Sequence, residues 1–261
     1  MNGTFKITLA YLKELGACRE GQREFQRAFP DGGEYQEVLD RCAEEDRVDL
    51  GRWLLEHVGP TEDVRVYEEA IDDADKNIIF AGGLDFRAEV KIRSLLSGCG
   101  IKAGDGIKAG CGIQAGWGIE AGWGIEAGWG IEAGRGIKAG WGIEAGCGIQ
   151  AGWGIEAGWG IEAGRGIKAG WGIKAGCGIQ AGWGIEAGWG IEAGRGIQAG
   201  WGIKAGCGIQ AGWGIEAGDD FCIFAGLNVR KSDQEHHAIV TANAKPENLM
   251  SGCWRPKENM T

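Results

Sequence analysis

From Cys99 to Gly218 a chemically capable side chain recurs at every sixth residue, in the frame X-Gly-Ile-Z-Ala-Gly repeated twenty times without a slip. X is Trp at eleven positions; Arg135, Arg165, Arg195, Asp105 and five Cys fill the rest, and Z is Glu, Lys or Gln. Indoles and guanidinium groups at fixed spacing can stack, make cation–π contacts and offer an apolar docking surface. They supply neither a nucleophile nor a proton-transfer group. The only imidazoles, His57, His236 and His237, lie outside the repeat. His236 and His237 beside Asp233 and Glu235 could in principle touch a metal, but read as a solvated polar turn. No Ser/His/Asp or Cys/His arrangement has positional support, and the many Gly-x-Gly matches are repeat, not a nucleotide fingerprint. The expectation is no catalytic, cofactor or metal site, no small-molecule substrate, and no enzyme.

The elements that must position these side chains follow from parity. X, Ile and Ala share one parity while Gly, Z and Gly share the other, and a period of two means strand. Short strands at a six-residue repeat make a β-solenoid, in which each unit stacks on the last. Glycine is expected at its corners, supplying left-handed backbone without a Cβ penalty. Collagen is excluded, because Gly does not fall at every third residue. Ile and Ala are placed inward. A position that accepts Trp, Arg, Cys and Asp is a poor interior site, since a buried charge costs several kcal/mol, so X is placed at a corner facing out. The alternative is a core in which the indoles stack inside. From Cys147 the X residues follow a five-hexad cycle; at three hexads per coil Arg135, Arg165 and Arg195 cannot share a column. Recent duplication of a DNA unit explains that cycle without a binding code.

The block resembles the left-handed hexapeptide β-helix: Ile-Glu matches the first two places of that pattern and the six-residue period matches throughout. Its small-residue place falls on X, where this chain has Trp, Cys, Arg or Asp. The family's acyltransferases depend on a His at a coil boundary, which the block lacks, so the resemblance implies no acyl-transfer site. More loosely, the block is similar to pentapeptide-repeat proteins, which share an aliphatic and an Ala facing inward.

The flanks give a fold class of α+β: a small helical N-terminal domain (1–66), a linker and N-terminal solenoid cap (67–98), the twenty-hexad solenoid (99–218), and a C-terminal cap and tail (219–261). Thr8 caps a short helix closed by Gly16, a second runs to Pro30, and a third is expected from Glu34 to His57, stopping at Gly59-Pro60. Ile79-Phe80-Ala81-Gly82 and Ile223-Phe224-Ala225-Gly226 match the hexad frame, and Leu95–Cys99 is echoed by Leu249–Cys253, as degenerate end coils. Lys231 to Glu247 reads as polar loop or irregular coil. Net charge is −10, and residues 1–90 hold 21 acidic against 11 basic side chains. The N-terminus lacks the pattern of a signal peptide, and no segment is long and apolar enough to span a bilayer. Nine Cys without CxxC spacing suit reduced thiols in a cytoplasmic protein.

These features point to a non-enzymatic interaction protein that presents a rigid solenoid to a protein partner, in its sharpest form a phage- or mobile-element-type inhibitor of a host or defence complex, anti-CRISPR-like or DNA-mimic-like. Pentapeptide solenoids that imitate duplex DNA set the precedent. The alternatives are a self-assembling scaffold and a Trp-stacking nucleic-acid binder, the latter opposed by net acidity. Candidate partner-binding residues are Trp117, Trp123, Trp129, Arg135, Trp153, Trp159, Arg165, Trp183, Trp189 and Arg195 on the solenoid. Asp72, Asp73 and Asp75 join them in the acidic head, with Glu44, Glu45 and Asp46 beside them.

Overall fold

A computed structural model describes residues 5–219, 222–229 and 233–256. Each Ile-Z-Ala triplet of the repeat is a three-residue strand, twenty in all, β7 (Ile101–Ala103) to β26 (Ile215–Ala217). Each pairs in parallel with the strand eighteen residues away, Ile119 with Ile101 and Ile137, Ala121 with Ala103 and Ala139. Three hexads therefore make one turn, and the solenoid has three sides. Face 1 carries Ile101, Ile119, Ile137, Ile155, Ile173, Ile191 and Ile209; face 2 starts at Ile107 and face 3 at Ile113. Ile and Ala of every triplet are buried and Z faces out, as the parity requires. The core of the block is thus stacked Ile and Ala.

Backbone hydrogen bonds continue through the corners. Trp117 N–H donates to Cys99 O at 2.9 Å and Arg135 N–H to Trp117 O at 2.7 Å, so X residues are laddered as firmly as the strands. The role expected of glycine is corrected here: among the described residues, none of the block's glycines adopts left-handed backbone. Close approach is the reason instead. A Cβ on the Gly after Ala would sit 1.9–2.2 Å from a carbonyl oxygen of the turn below, from Gly116 through Gly206. The Gly after X is looser: a Cβ on Gly154 would lie 3.3 Å from Gly172 O.

The chain opens with β1 (Lys6–Ile7), α1 (Leu9–Glu14), α2 (Arg19–Ala28), β2 (Gly33–Glu34), α3 (Tyr35–Glu44) and α4 (Val48–Val58). The Thr8 hydroxyl accepts from Tyr11 N–H at 3.2 Å, capping α1. The single helix expected over Glu34–His57 is two. Asp46 turns left-handed at φ 57° while Arg47 N–H donates to Cys42 O at 2.8 Å, a C-terminal stop without the usual glycine. Side chains hold the break: Asp46 pairs with Arg93 at 2.8 Å and accepts from Asn77 at 3.1 Å, and Arg47 pairs with Glu24.

The parallel ladder begins before the repeat, with β3 (Val64–Tyr67), β4 (Ile71–Phe80), β5 (Gly83–Phe86) and β6 (Val90–Ser97). Register here departs from the expected frame by one residue: Ile78, not Ile79, aligns with Leu95 and Ile113. Ile78 and Phe80 join the solenoid core, whereas Ile79 and Leu96 occupy outward Z positions. Both are buried there because the helices cover them, in one cluster with Leu12, Phe25, Tyr35, Val38, Leu39 and Leu54. Gln36 finishes the cap. Its amide donates to Ile79 O at 2.8 Å and accepts from Ala81 N–H at 3.0 Å, replacing a neighbouring strand on β4.

At the other end β27 (Ile223–Phe224) keeps the frame, Ile223 pairing with Ile203. Residues 230–232 lie outside the described residues, but the rest of the segment expected as loop is more regular. It holds α5 (Gln234–His237) and β28 (Ile239–Ala242), which extends face 1 through Ile209–Val240. β29 (Leu249–Ser251) and β30 (Cys253–Pro256) close the ladder, with Leu249 in register with Ile223. No helix of the described residues is long and apolar enough to cross a membrane.

Candidate interaction surface

Because corners repeat every eighteen residues, the X side chains form three columns. Column 1 runs Cys99, Trp117, Arg135, Trp153, Trp171, Trp189 and Cys207; column 2 runs Asp105, Trp123, Trp141, Trp159, Cys177, Arg195 and Trp213; column 3 runs Cys111, Trp129, Cys147, Arg165, Trp183 and Trp201. The eleven block tryptophans are 44–69% exposed, so the outward placement of the indoles holds. As the five-hexad cycle requires, the three arginines fall in different columns.

Within a column the side chains lean on one another. Trp141 and Trp159 stack at 5.0 Å between ring centroids, as do Trp183 and Trp201; Trp153–Trp171 and Trp123–Trp141 are looser at 5.9 and 6.3 Å. Arg135 lies between Trp117 and Trp153, 4.6 and 5.5 Å from the rings, and Arg165 lies 5.2 Å from Trp183. Arg195 reaches past the small Cys177 to Trp159 at 5.5 Å, and also covers Trp213 at 5.3 Å. Such contacts contribute about 0.5–1 kcal/mol each at exposed sites. Each column is therefore a partly self-shielded rail, and its guanidinium groups are engaged with indoles.

Beside each column runs a row of Z side chains, which the hexad alone does not reveal. On face 1 the row alternates in sign over seven consecutive turns, Asp85, Lys102, Glu120, Lys138, Glu156, Lys174 and Glu192. On face 2, Glu126, Glu144 and Glu162 are direct neighbours. Between residues 99 and 218 those are the only like-charge neighbours along the Z rows, with Lys91 beside Lys108 just before the block, and like charges directly opposite are destabilising. Reading every third hexad would have exposed both patterns.

The acidic candidates gather at the N-terminal ends of the rails, Asp46 lining the groove of column 3. Asp72 pairs with Lys91, which aligns with Lys108, so it heads the Z row of face 2. Asp73 and Asp75 are exposed at a register shift, where Asp75 N–H donates to the Asp73 carboxylate at 3.2 Å. The other three acids stand at the α3–α4 break, where Glu45 pairs with Arg41. Among the described residues no three His, Cys, Asp or Glu converge to hold a metal, and no cysteine is in a disulfide. The three long grooves are lined by the same residue types, an X column with the Gly, Ile and Z of the following strand.

Residues 1–59 match the family described as the YdhT N-terminal domain. The match spans α1 to α4 and stops before β3. No curated protein and no solved structure matches the chain.

Proposed function

We propose that this chain is a non-enzymatic interaction protein, a rigid rod that presents laddered side-chain rails to a protein partner, with the helical head closing its N-terminal end. One observation carries the reading: eleven indoles stand exposed on hydrogen-bonded corners, an apolar load that soluble monomers rarely leave open. Each rail is fixed by the backbone ladder, so little ordering entropy is lost when a partner docks. Catalysis draws no support from grooves that repeat the same residues turn after turn.

Nucleic-acid stacking is the weaker reading, because it needs a continuous basic track beside its ring faces, and the lysines of face 1 alternate with carboxylates. Here the closest ring pairs stack at 5.0 Å, and the three block arginines lie over indoles. Duplex mimicry fares no better: DNA carries a charge about every 3.4 Å along each strand. One Z residue per turn supplies at most one about every 4.8 Å, and face 1 alternates in sign.

The test is capture by the tagged full chain from a bacterial lysate, with and without nuclease, beside the variant Trp153→Ser, Trp159→Ser, Trp183→Ser, Trp189→Ser. A stoichiometric protein that survives nuclease and is lost with the variant, at unchanged circular dichroism, is the expected result. Capture of nucleic acid alone, or of the same proteins by both chains, would overturn it.

A further inference from the structure

We propose that face 1 is a two-fold interface on which a second copy of this chain docks antiparallel. The proposal rests on the reading of the rod as an interaction surface and names its partner. The alternating row repeats at the inter-strand spacing, about 4.8 Å. A partner that meets it charge for charge needs the same spacing and alternation, and this chain carries both. The row is also available. Of its seven charged groups, among the described residues, Asp85 pairs with Arg87 and Lys174 with Glu192, while Lys102, Glu120, Lys138 and Glu156 close no ion pair within the chain.

Symmetry then selects the arrangement. A two-fold axis along the rod would set each turn against itself, Lys on Lys and Glu on Glu. A two-fold axis across the rod, passing between the turns of Lys138 and Glu156, pairs Lys138 with Glu156, Glu120 with Lys174, and Lys102 with Glu192. All six ion pairs are then of opposite sign. The same axis keeps column 1 against column 1, placing Arg135 opposite Trp153 and Trp117 opposite Trp171, with no arginine facing arginine. At the ends it brings Asp63, in line with column 1, towards His237, the two lying at opposite ends of the groove along face 1. Face 2 carries no such alternation: its row runs Lys91, Lys108, Glu126, Glu144 and Glu162, like charges in blocks, with Lys108 already paired to Glu126 at 2.7 Å. On face 3 the helices stand over Ile79 and Leu96 at the N-terminal end and obstruct a flat approach. Among the described residues, face 1 alone carries an unbroken alternating row, and a row of that kind is self-complementary about such an axis.

The experiment uses two full-length variants, one with Lys102→Glu, Lys138→Glu and Lys174→Glu, the other with Glu120→Lys, Glu156→Lys and Glu192→Lys. Circular dichroism checks each fold and sedimentation velocity reads association at low salt. The expected result is a dimeric wild type, two monomeric variants, and a heterodimer when the variants are mixed in equal amounts. Should either variant fail to fold, Lys138→Glu alone is expected to weaken the dimer at least tenfold, and adding Glu156→Lys to restore it. A monomeric wild type, variants that dimerise alone as well as the wild type, or a mixture that stays monomeric would overturn the proposal. A monomeric wild type that still captures a Trp-dependent partner would sink the dimer alone and leave the broader reading standing.

Discussion

The two invariant glycines of each hexad have unequal roles, and the pair Gly152→Ala and Gly154→Ala separates them. A Cβ on Gly152 would fall 2.1 Å from Gly134 O and 3.0 Å from Gly134 C, both backbone atoms of the turn below. No rotamer change relieves that contact; the turns must part. The bonds at stake are Gly152 N–H to Ala133 O and Trp153 N–H to Arg135 O, each 3.0 Å. At about 1 kcal/mol per bond, plus about 1–3 kcal/mol for overpacking, the loss comes to about 3–5 kcal/mol. A Cβ on Gly154 would meet Gly172 O at 3.3 Å, which a shift of a few tenths of an ångström accommodates. That cost is offset by about 0.4–1 kcal/mol from a less flexible unfolded chain where the backbone suits alanine, so a net change within about 1 kcal/mol is expected. Urea unfolding followed by circular dichroism reads both. The comparison is between variants, because a repeat array can unfold in steps. Equal losses, or a larger loss for Gly154→Ala, would refute close approach as the reason for the Ala-Gly glycine.

Other perturbations bear on the cap, the charge register and the half-buried thiol of Cys42. Gln36→Ala strips both amide bonds from the helix-covered edge of β4 and is expected to cost about 2 kcal/mol, read as a lower urea midpoint. Glu144→Lys replaces two like-charge contacts on face 2 with two opposite ones. Stability should rise by about 1 kcal/mol at low salt and the gain should fade in 1 M salt; a loss would mean that Glu126, Glu144 and Glu162 are not neighbours. Burial pushes the Cys42 thiol up to about 11, with nearby Arg47 opposing. The stability held by that neutral thiol is present below its ordinary value of 9.0 and is lost as pH rises through about 11. At pH 8.5 Cys42 should therefore be the slowest cysteine to alkylate, with Cys147 and Cys177 faster by peptide mass spectrometry.

Much of the solenoid was legible because its period is exact and its parity unambiguous: Ile and Ala inward, X outward, three Arg in three columns. What stayed hidden depended on contacts between distant residues. Ile79 looked like the Ile of a hexad, yet it fills a Z position, and only the helices packed on Ile79 and Leu96 make an apolar side chain acceptable there. The break at Asp46 carries no glycine or proline signal, since Arg93 and Asn77, some thirty to fifty residues away, hold it in place. The alternation on face 1 was written in the sequence but appears only once the eighteen-residue turn is known. The binding rails were therefore readable as residue types, and their grouping was not.

The indole rails as the binding surface are tested most directly by collisional quenching of tryptophan emission with acrylamide, on the chain alone and on its purified complex. The block indoles outnumber Trp53 and Trp254 eleven to two, so they dominate the signal. Red-shifted, strongly quenched emission from the free monomer, with protection and a blue shift on association, is the predicted result. Indoles already shielded in a proven monomer, or equally quenched in free chain and complex, would contradict it.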